Sequence, residues 1–149
     1  MIKQLRNKKG FTLIEIIVVI VILAVLMAVA VPSVLNYINE GNNAKYMSTA
    51  RGAMIQAQTQ LAKTYAGSSD AKDTYAAALS EAVTQTNKSS GSLTVATITA
   101  YTDTAAKAPL HEKSEGGDPS DVKSYVVTFN GDKKTATITV NGSVTIKNE

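Results

Sequence analysis

The most distinctive feature of this chain is the stretch from Gly10 to Pro32, GFTLIEIIVVIVILAVLMAVAVP. Its twenty-one residues from Phe11 to Val31 are all apolar except Thr12 and Glu15. As an α-helix this span is about 30 Å long, which matches the hydrocarbon core of a bilayer. A carboxylate inside such a span is costly, so we expect Glu15 to have a partner of opposite charge.

The ten residues before this span, MIKQLRNKKG, contain no acidic residue and four basic ones, Lys3, Arg6, Lys8 and Lys9. A short basic segment before an apolar run favours a helix whose N-terminus stays in the cytoplasm. A secretory signal peptide has the same order, but a small-residue cleavage site follows its shorter apolar core. Here the run continues through Pro32 into polar, helix-like sequence. The pattern therefore favours a membrane-anchoring helix over a conventional signal peptide.

Residues 8–15, KKGFTLIE, resemble the class III signal of type IV pilins and pseudopilins. In that family, a prepilin peptidase on the cytoplasmic face cuts after the glycine and methylates the new N-terminal residue. The resemblance implies cleavage between Gly10 and Phe11 and N-methylation of Phe11. It also implies that Glu15 serves assembly and filament register, and that Pro32 bends the helix.

The resemblance also suggests a partner for Glu15. Filaments of this family pack their apolar helices into a core that holds little water. The positive amine of a mature Phe11 and the carboxylate of Glu15 would compensate each other there, within one chain or between neighbours. Pairing between subunits would also fix their axial register. The simpler alternative is that Glu15 lies near the lipid headgroups.

Charge and cysteine content argue against several other classes of protein. The sequence pI of about 9.1 suggests a nucleic-acid binder, but the basic residues of the leader account for much of it. Removing residues 1–10 takes away four positive charges, so the formal net charge changes from +3 to −1. No basic face for DNA is therefore indicated. The chain has no cysteine, which excludes disulfides and thiol metal sites, so its folded part relies on packing and β pairing.

Beyond Pro32 the pattern becomes that of an amphipathic helix. Apolar residues recur at spacings of three and four, at Met47, Ala50, Met54, Ala57, Leu61 and Tyr65. The first helix is therefore predicted from Phe11 to about Tyr65. Proline lacks the N–H of an intrahelical bond, so a kink or local loosening is predicted near 27–32. A second weak point is predicted at 39–43.

A second helix is predicted after a stop in the sequence AGSSD. Gly67 would end the first helix, and Ser69 or Asp70 would cap the second. The second helix is predicted over 71–83, and its buried residues would be Tyr75, Ala78, Leu79, Ala82 and Val83. Residues 84–92, TQTNKSSGS, are predicted to form a turn.

Four strands are predicted over 92–102, 122–129, 135–140 and 143–146, and Asn130-Gly131-Asp132 and Asn141-Gly142 provide hairpin turns. The first strand would place Leu93, Val95 and Tyr101 with Thr97 and Thr99 on one face, and Ala96 and Ile98 on the other. In the later strands, one set should face the same way: Tyr125, Val127, Phe129, Ile138, Val140, Val144 and Ile146. The threonine-rich opposite face would contact solvent.

These elements predict an α+β fold. A long N-terminal helix would have a protruding apolar half and an amphipathic half packed on a C-terminal antiparallel meander, as the pilin resemblance also implies. The predicted regions are a cleaved leader (1–10), a membrane-spanning and filament-core helix (11–32) and a globular head (33–149).

No catalytic, cofactor or metal site is predicted. The single histidine, His111, lies in a charged loop over 103–121 and is interpreted as solvated. Asp118, Asp121 and Glu115 resemble the calcium loop of some pseudopilins, although a charged loop is usually only solvated. Asn87-Lys-Ser and Asn141-Gly-Ser match glycosylation acceptors, a pattern that is often without meaning.

Three functions remain open at this stage. The favoured one is a structural subunit of a type IV pilus, inserted in the cytoplasmic membrane as a precursor and then assembled into an extracellular homopolymer. Its implied partners are the prepilin peptidase and an assembly platform with its ATPase. The alternatives are a pseudopilin of a type II secretion or competence system, and a monomeric membrane-anchored binding protein.

Overall fold

The computed structural model describes residues 10–67, 75–91, 93–111, 117–131 and 133–148. The described elements are two α-helices, a short 3-10 helix and a four-stranded antiparallel sheet, so the predicted α+β class is confirmed. Contacts divide the chain into two compact units, with the boundary between Gly41 and Asn42.

The first unit consists, in its described part, of the start of helix α1. This helix extends from Leu13 to Gly67 and has 55 residues, close to the predicted range. Every residue from Gly10 to Gly41 is exposed, including all the large apolar side chains. The helix continues through Pro32 and through Asn39 to Gly41 without interruption. The kink at Pro32 stays a prediction.

The part of α1 after Gly41 contributes one face to the core of the second unit. Its buried residues are spaced by four, three, four and four positions, at Tyr46, Ala50, Ala53, Ala57 and Leu61. Three predicted core positions are therefore confirmed. Met47 and Met54 are only half-buried, and Tyr65 is 39% exposed, so its predicted burial was wrong. Alanines occupy the centre of the contact, which leaves the bulkier methionines at its flanks.

Helix α2 extends from Tyr75 to Ser89 and buries Tyr75, Ala78, Ala82 and Thr86. The predicted turn over 84–92 was wrong for its first six residues, which are helical. The Thr86 hydroxyl donates to the Ala82 carbonyl at 2.8 Å, so this polar side chain is satisfied while it is buried. Packing thus outweighs the low helix propensity of the segment. The predicted caps at Ser69 and Asp70 lie outside the described residues.

The sheet contains β1 (Val95–Tyr101), β2 (Ser124–Phe129), β3 (Lys134–Thr139) and β4 (Val144–Asn148), in that spatial order. All neighbours are antiparallel, and the two Asn-Gly pairs lie in the predicted hairpin turns. Two core-facing rows cross the sheet: Ile98, Val127, Ala136 and Ile146, and Ala100, Tyr125, Ile138 and Val144. Val140 was wrongly assigned to this face, because it lies in the turn after β3 and is 47% exposed.

The predicted alternation of side chains along β1 was wrong. The register of β1 shifts between Val95 and Thr97, and an extra residue at such a bulge reverses the phase of the side chains. Val95, Ile98 and Ala100 are consequently all buried. Asn87 of α2 supports the strand at this point, because its Oδ1 accepts from Val95 N at 2.7 Å and its Nδ2 donates to Val95 O at 3.0 Å.

Aromatic contacts join α1 to the sheet inside the second unit. The rings of Tyr46 and Phe129 meet edge-to-face with centroids 4.9 Å apart. Lys134 Nζ lies 4.4 Å from the centroid of the Tyr46 ring, a cation–π distance. Arg51 donates to the Gly142 carbonyl in the β3–β4 turn at 3.1 Å. These contacts hold the helix against β2, β3 and the last hairpin.

Candidate functional site

The predicted cleavage position lies just before α1 begins. Gly10, Phe11 and Thr12 are outside the helix, and Phe11 is 85% exposed. A Cβ built on Gly10 would meet nothing within 4 Å. The peptide bond between Gly10 and Phe11 is therefore accessible, and its backbone is not tied into helical hydrogen bonds.

Thr12 and Glu15 form a capping box at the start of α1. Glu15 Oε2 accepts from Thr12 N at 2.8 Å and from Thr12 Oγ1 at 2.9 Å, and Thr12 Oγ1 receives the longer bond from Glu15 N at 3.4 Å. Thr12 is thus the N-cap, and Glu15 is the third helical residue. The carboxylate also lies at the positive end of the helix dipole.

The capping box was missing from the sequence-based interpretation of Glu15. Its signal, threonine followed three residues later by glutamate before an apolar run, is present as Thr12-Leu-Ile-Glu15. The site residues Gly10, Phe11 and Glu15 therefore lie together around the first helical turn. Pro32 lies far along the same helix, within its interior.

The helix that follows the capping box has the properties of a membrane span. Among the described helices, only α1 is long and apolar enough to cross a bilayer, and its apolar window has no buried residue. From Ile16 to Val31 it contains no charged side chain. Leaving this many large apolar groups in water would cost on the order of tens of kcal/mol. The surface therefore requires lipid or other protein around it.

Comparison with known families identifies the motif that these residues form. Residues 5–31 match the family model of the prokaryotic N-terminal methylation motif. The chain carries the class III signal of type IV pilins and pseudopilins. This pilin-like motif covers three of the four basic residues of 1–10, the predicted cleavage position, the capping box and the whole apolar span from Phe11 to Val31. No curated protein and no solved structure matches the chain significantly.

The pilin-like motif supports the coarse functional class. It indicates a type IV pilin-like or pseudopilin-like protein and does not separate the two. Such a motif is typical of substrates of a prepilin peptidase. Together with the apolar helix, it fits a membrane-anchored precursor.

The remaining candidate residues do not form a second site in the described structure. Asp118 caps the 3-10 helix Pro119–Asp121, and the bond from Ser120 N at 2.8 Å lowers the pKa of its carboxyl. A hydrogen bond to the same carboxylate raises the pKa of Tyr65. Glu115 lies outside the described residues. Within the described ranges, no three His, Asp or Glu side chains are grouped to hold a metal.

The structure also distinguishes the two asparagines of the possible glycosylation sequences. Asn87 lies on α2, and its side-chain amide is occupied by the main chain of Val95. Asn141 is exposed in the β3–β4 turn. His111 follows β1 and its bridge between Tyr101 and Pro109, and it is exposed as interpreted from the sequence.

Proposed function

We propose that this protein is a structural subunit of a type IV pilus that polymerises through its N-terminal apolar helix. The observation that carries the proposal is the combination of the methylation motif with an apolar segment of α1 whose residues are all exposed. We assign residues 1–10 to the leader, 11–32 to the membrane-spanning and filament-core helix, and 33–149 to the head.

Processing in this proposal begins with the leader on the cytoplasmic side of the membrane. The prepilin peptidase cuts between Gly10 and Phe11 and methylates the new amine of Phe11. An exposed, non-helical peptide bond supports this position, because a peptidase must fit the substrate backbone into its own cleft. The capping box keeps the start of α1 at Leu13 both before and after cleavage, because Thr12 and Glu15 both remain in the mature chain.

Assembly uses the charges that processing leaves at the start of the helix. The amine of Phe11 and the carboxylate of Glu15 are four residues apart on one chain, and each compensates the other in a medium that holds little water. A Glu15 carboxylate that also meets the amine of a neighbouring subunit sets the axial register between them. Burial of the apolar helices among themselves then replaces their contact with lipid. The assembly platform and its ATPase supply the work.

The second unit forms the polar surface of the filament. In the described structure, the buried residues of the hydrophobic core run in sequence from Tyr46 to Ile138. The core therefore includes no side chain of the apolar segment. The apolar helix and the folded head thus perform separate tasks. We assign no catalytic role to either of them.

A matched pair of glycine variants tests the processing step in a host that has the complete pilus machinery. Gly10→Val should remain at full length and give no filaments, because the branched side chain blocks the peptidase. Gly41→Ala is the control, since a Cβ there also meets nothing within 4 Å and cleavage should proceed. Intact-mass analysis of both proteins measures the result, and a processed Gly10→Val chain would show that the cleavage position is wrong.

Pseudopilins carry the same motif, so the place of the assembled protein distinguishes the two classes. A pilus subunit is found in long filaments sheared from the cell surface. A pseudopilin is processed but stays with the cell envelope, and a simple anchor is never processed.

A further inference from the structure

Two asparagine-glycine pairs in the hairpin turns are candidates for a spontaneous chemical modification. In such a pair, the glycine amide nitrogen loses its proton to water and attacks the side-chain carbonyl carbon of asparagine. A new C–N bond forms, the bond to the side-chain nitrogen breaks, and ammonia leaves a succinimide ring. Water then opens this ring to aspartate or isoaspartate. Glycine favours the reaction because it has no Cβ and little conformational restriction.

The turn that contains Asn141 holds both reacting groups. Gly142 N, the nucleophile, donates to the Thr139 carbonyl at 2.9 Å. The Thr139 hydroxyl donates to Asn141 Oδ1, so the carbonyl that must be attacked is also engaged. Thr139 N closes the turn with a 2.9 Å bond to the Ser143 carbonyl. Attack would therefore require the bond from Gly142 N to break and the Asn141 side chain to leave the Thr139 hydroxyl.

The turn that contains Asn130 leaves the same groups accessible. Asn130 N donates to the Thr94 carbonyl at 3.0 Å, which fixes the backbone on the N-terminal side of the turn. Within the described residues, neither the Asn130 side chain nor Gly131 N makes a hydrogen bond, and both residues are exposed. Gly131 and Gly142 have similar φ angles, +86° and +95°. The contrast between the turns therefore lies in the hydrogen bonds rather than in this glycine angle.

We propose that Asn130 is a site of spontaneous deamidation in the folded protein and that its turn protects Asn141. Conversion adds one negative charge to the exposed β2–β3 turn. In the isoaspartate form it also lengthens the main chain by one carbon within residue 130, whose N–H is bonded to Thr94. The protein would thus acquire a charge difference with age at one of its two hairpin turns.

Peptide mass spectrometry of the full chain tests the proposal during incubation in detergent at mildly alkaline pH. Asn130 should convert at least about tenfold faster than Asn141, because one net hydrogen bond is worth roughly fivefold and two restrain Asn141. In concentrated urea, the two rates should become similar, since both asparagines precede glycine. Equal rates in the folded chain, or an unreactive Asn130, would overturn the proposal. So would a difference that persists after unfolding.

Two variants separate the cause from general effects on the fold. Thr139→Val removes the hydroxyl bond to Asn141 Oδ1, so Asn141 should convert several-fold faster while the rate at Asn130 stays unchanged. Asn130→Gln should leave the peptide from that turn unmodified over the same period, because its longer side chain closes a larger ring. An unchanged rate at Asn141 in the Thr139 variant would contradict the protective role of this hydroxyl.

Discussion

Glu15 combines two chemical roles that single substitutions can separate. Its Oε2 accepts two hydrogen bonds from Thr12, which requires an acceptor but no charge. The proposed pairing with the mature amine of Phe11 requires a charge. The sequence identified the residue as a carboxylate inside an apolar span, and its place in the pilin-like motif then suggested its role. The capping role depends on a helix that begins at Leu13, whereas the helix was predicted to begin two residues earlier, at Phe11.

Glu15→Gln should prevent filament assembly and leave processing intact. The amide oxygen still accepts from Thr12 N, but the amine of Phe11 loses its counter-charge in the filament core, a loss of several kcal/mol. We expect the yield of sheared filaments to fall at least about tenfold. Thr12→Ala is the matched control, because it removes the cap hydroxyl at a cost of about 1 kcal/mol and keeps the charge. Normal filaments from Glu15→Gln would refute a charge-based register.

Asn87→Ala should destabilise the head by roughly 1–3 kcal/mol. The substitution leaves Val95 N and Val95 O without their side-chain partner beside the β1 bulge, where Val95 itself is buried. Urea unfolding followed by circular dichroism measures the change, and Lys88→Ala on the exposed side of α2 is the control. Equal stabilities of the two variants would show that the Asn87 contact contributes little.

Tyr125 should make the head less stable in alkaline solution. Burial raises the pKa of Tyr125 to about 12 from its ordinary value of 10.0. The neutral form is therefore favoured in the folded state, and its contribution is complete below pH 10 and disappears as pH rises from 10 to 12. Tyr125→Phe should lose less stability across this window than the parent protein. Urea unfolding of both proteins at several alkaline pH values measures the difference in the free energy of unfolding. An identical pH dependence of this free energy in the two proteins would contradict the prediction.

At the scale of elements, small residues set the contact between α1 and the sheet. Ala50, Ala53 and Ala57 are completely buried, and they allow the helix backbone to approach closely. Hydrophobic periodicity found Ala50 and Ala57 but selected Met54 in place of Ala53. Alanine gives only a weak apolar signal, so periodicity ranks the neighbouring methionine above it.

Substitutions at two adjacent positions of α1 should change stability in opposite directions. Ala53→Leu adds side-chain atoms to a fully packed site and should cost about 1–3 kcal/mol. Gly52→Ala should stabilise by roughly 0.5–1 kcal/mol, because a Cβ there meets nothing within 4 Å and glycine weakens a helix interior. Urea midpoints of both variants measure the effects. A stabilised Ala53→Leu would mean that this contact is loosely packed.

The elements also show which structural features depend on tertiary contacts. The meander and its two turns could be predicted because alternation and Asn-Gly pairs are local signals. The extension of α2 to Ser89 depends on the burial of Thr86, and the phase of β1 depends on a bulge opposite β2. Neither is encoded in local propensity, so neither could be predicted from the sequence.

At the scale of the whole molecule, all buried residues of the described core belong to the second unit. The core residues begin at Tyr46, after the unit boundary at Gly41. A fragment of residues 42–149 should therefore be a soluble monomer with helix and strand signals and a cooperative unfolding transition. Circular dichroism and analytical ultracentrifugation test this. An insoluble fragment, or one without cooperative unfolding, would show that the apolar segment is needed for the fold.

Mass analysis of the subunit in filaments sheared from the cell surface tests the proposed function most directly. We predict long filaments composed mainly of a chain that starts at N-methylated Phe11. Processed protein confined to the cell envelope would contradict the pilus assignment and indicate a pseudopilin. A chain that retains residues 1–10 would contradict the processing step as well.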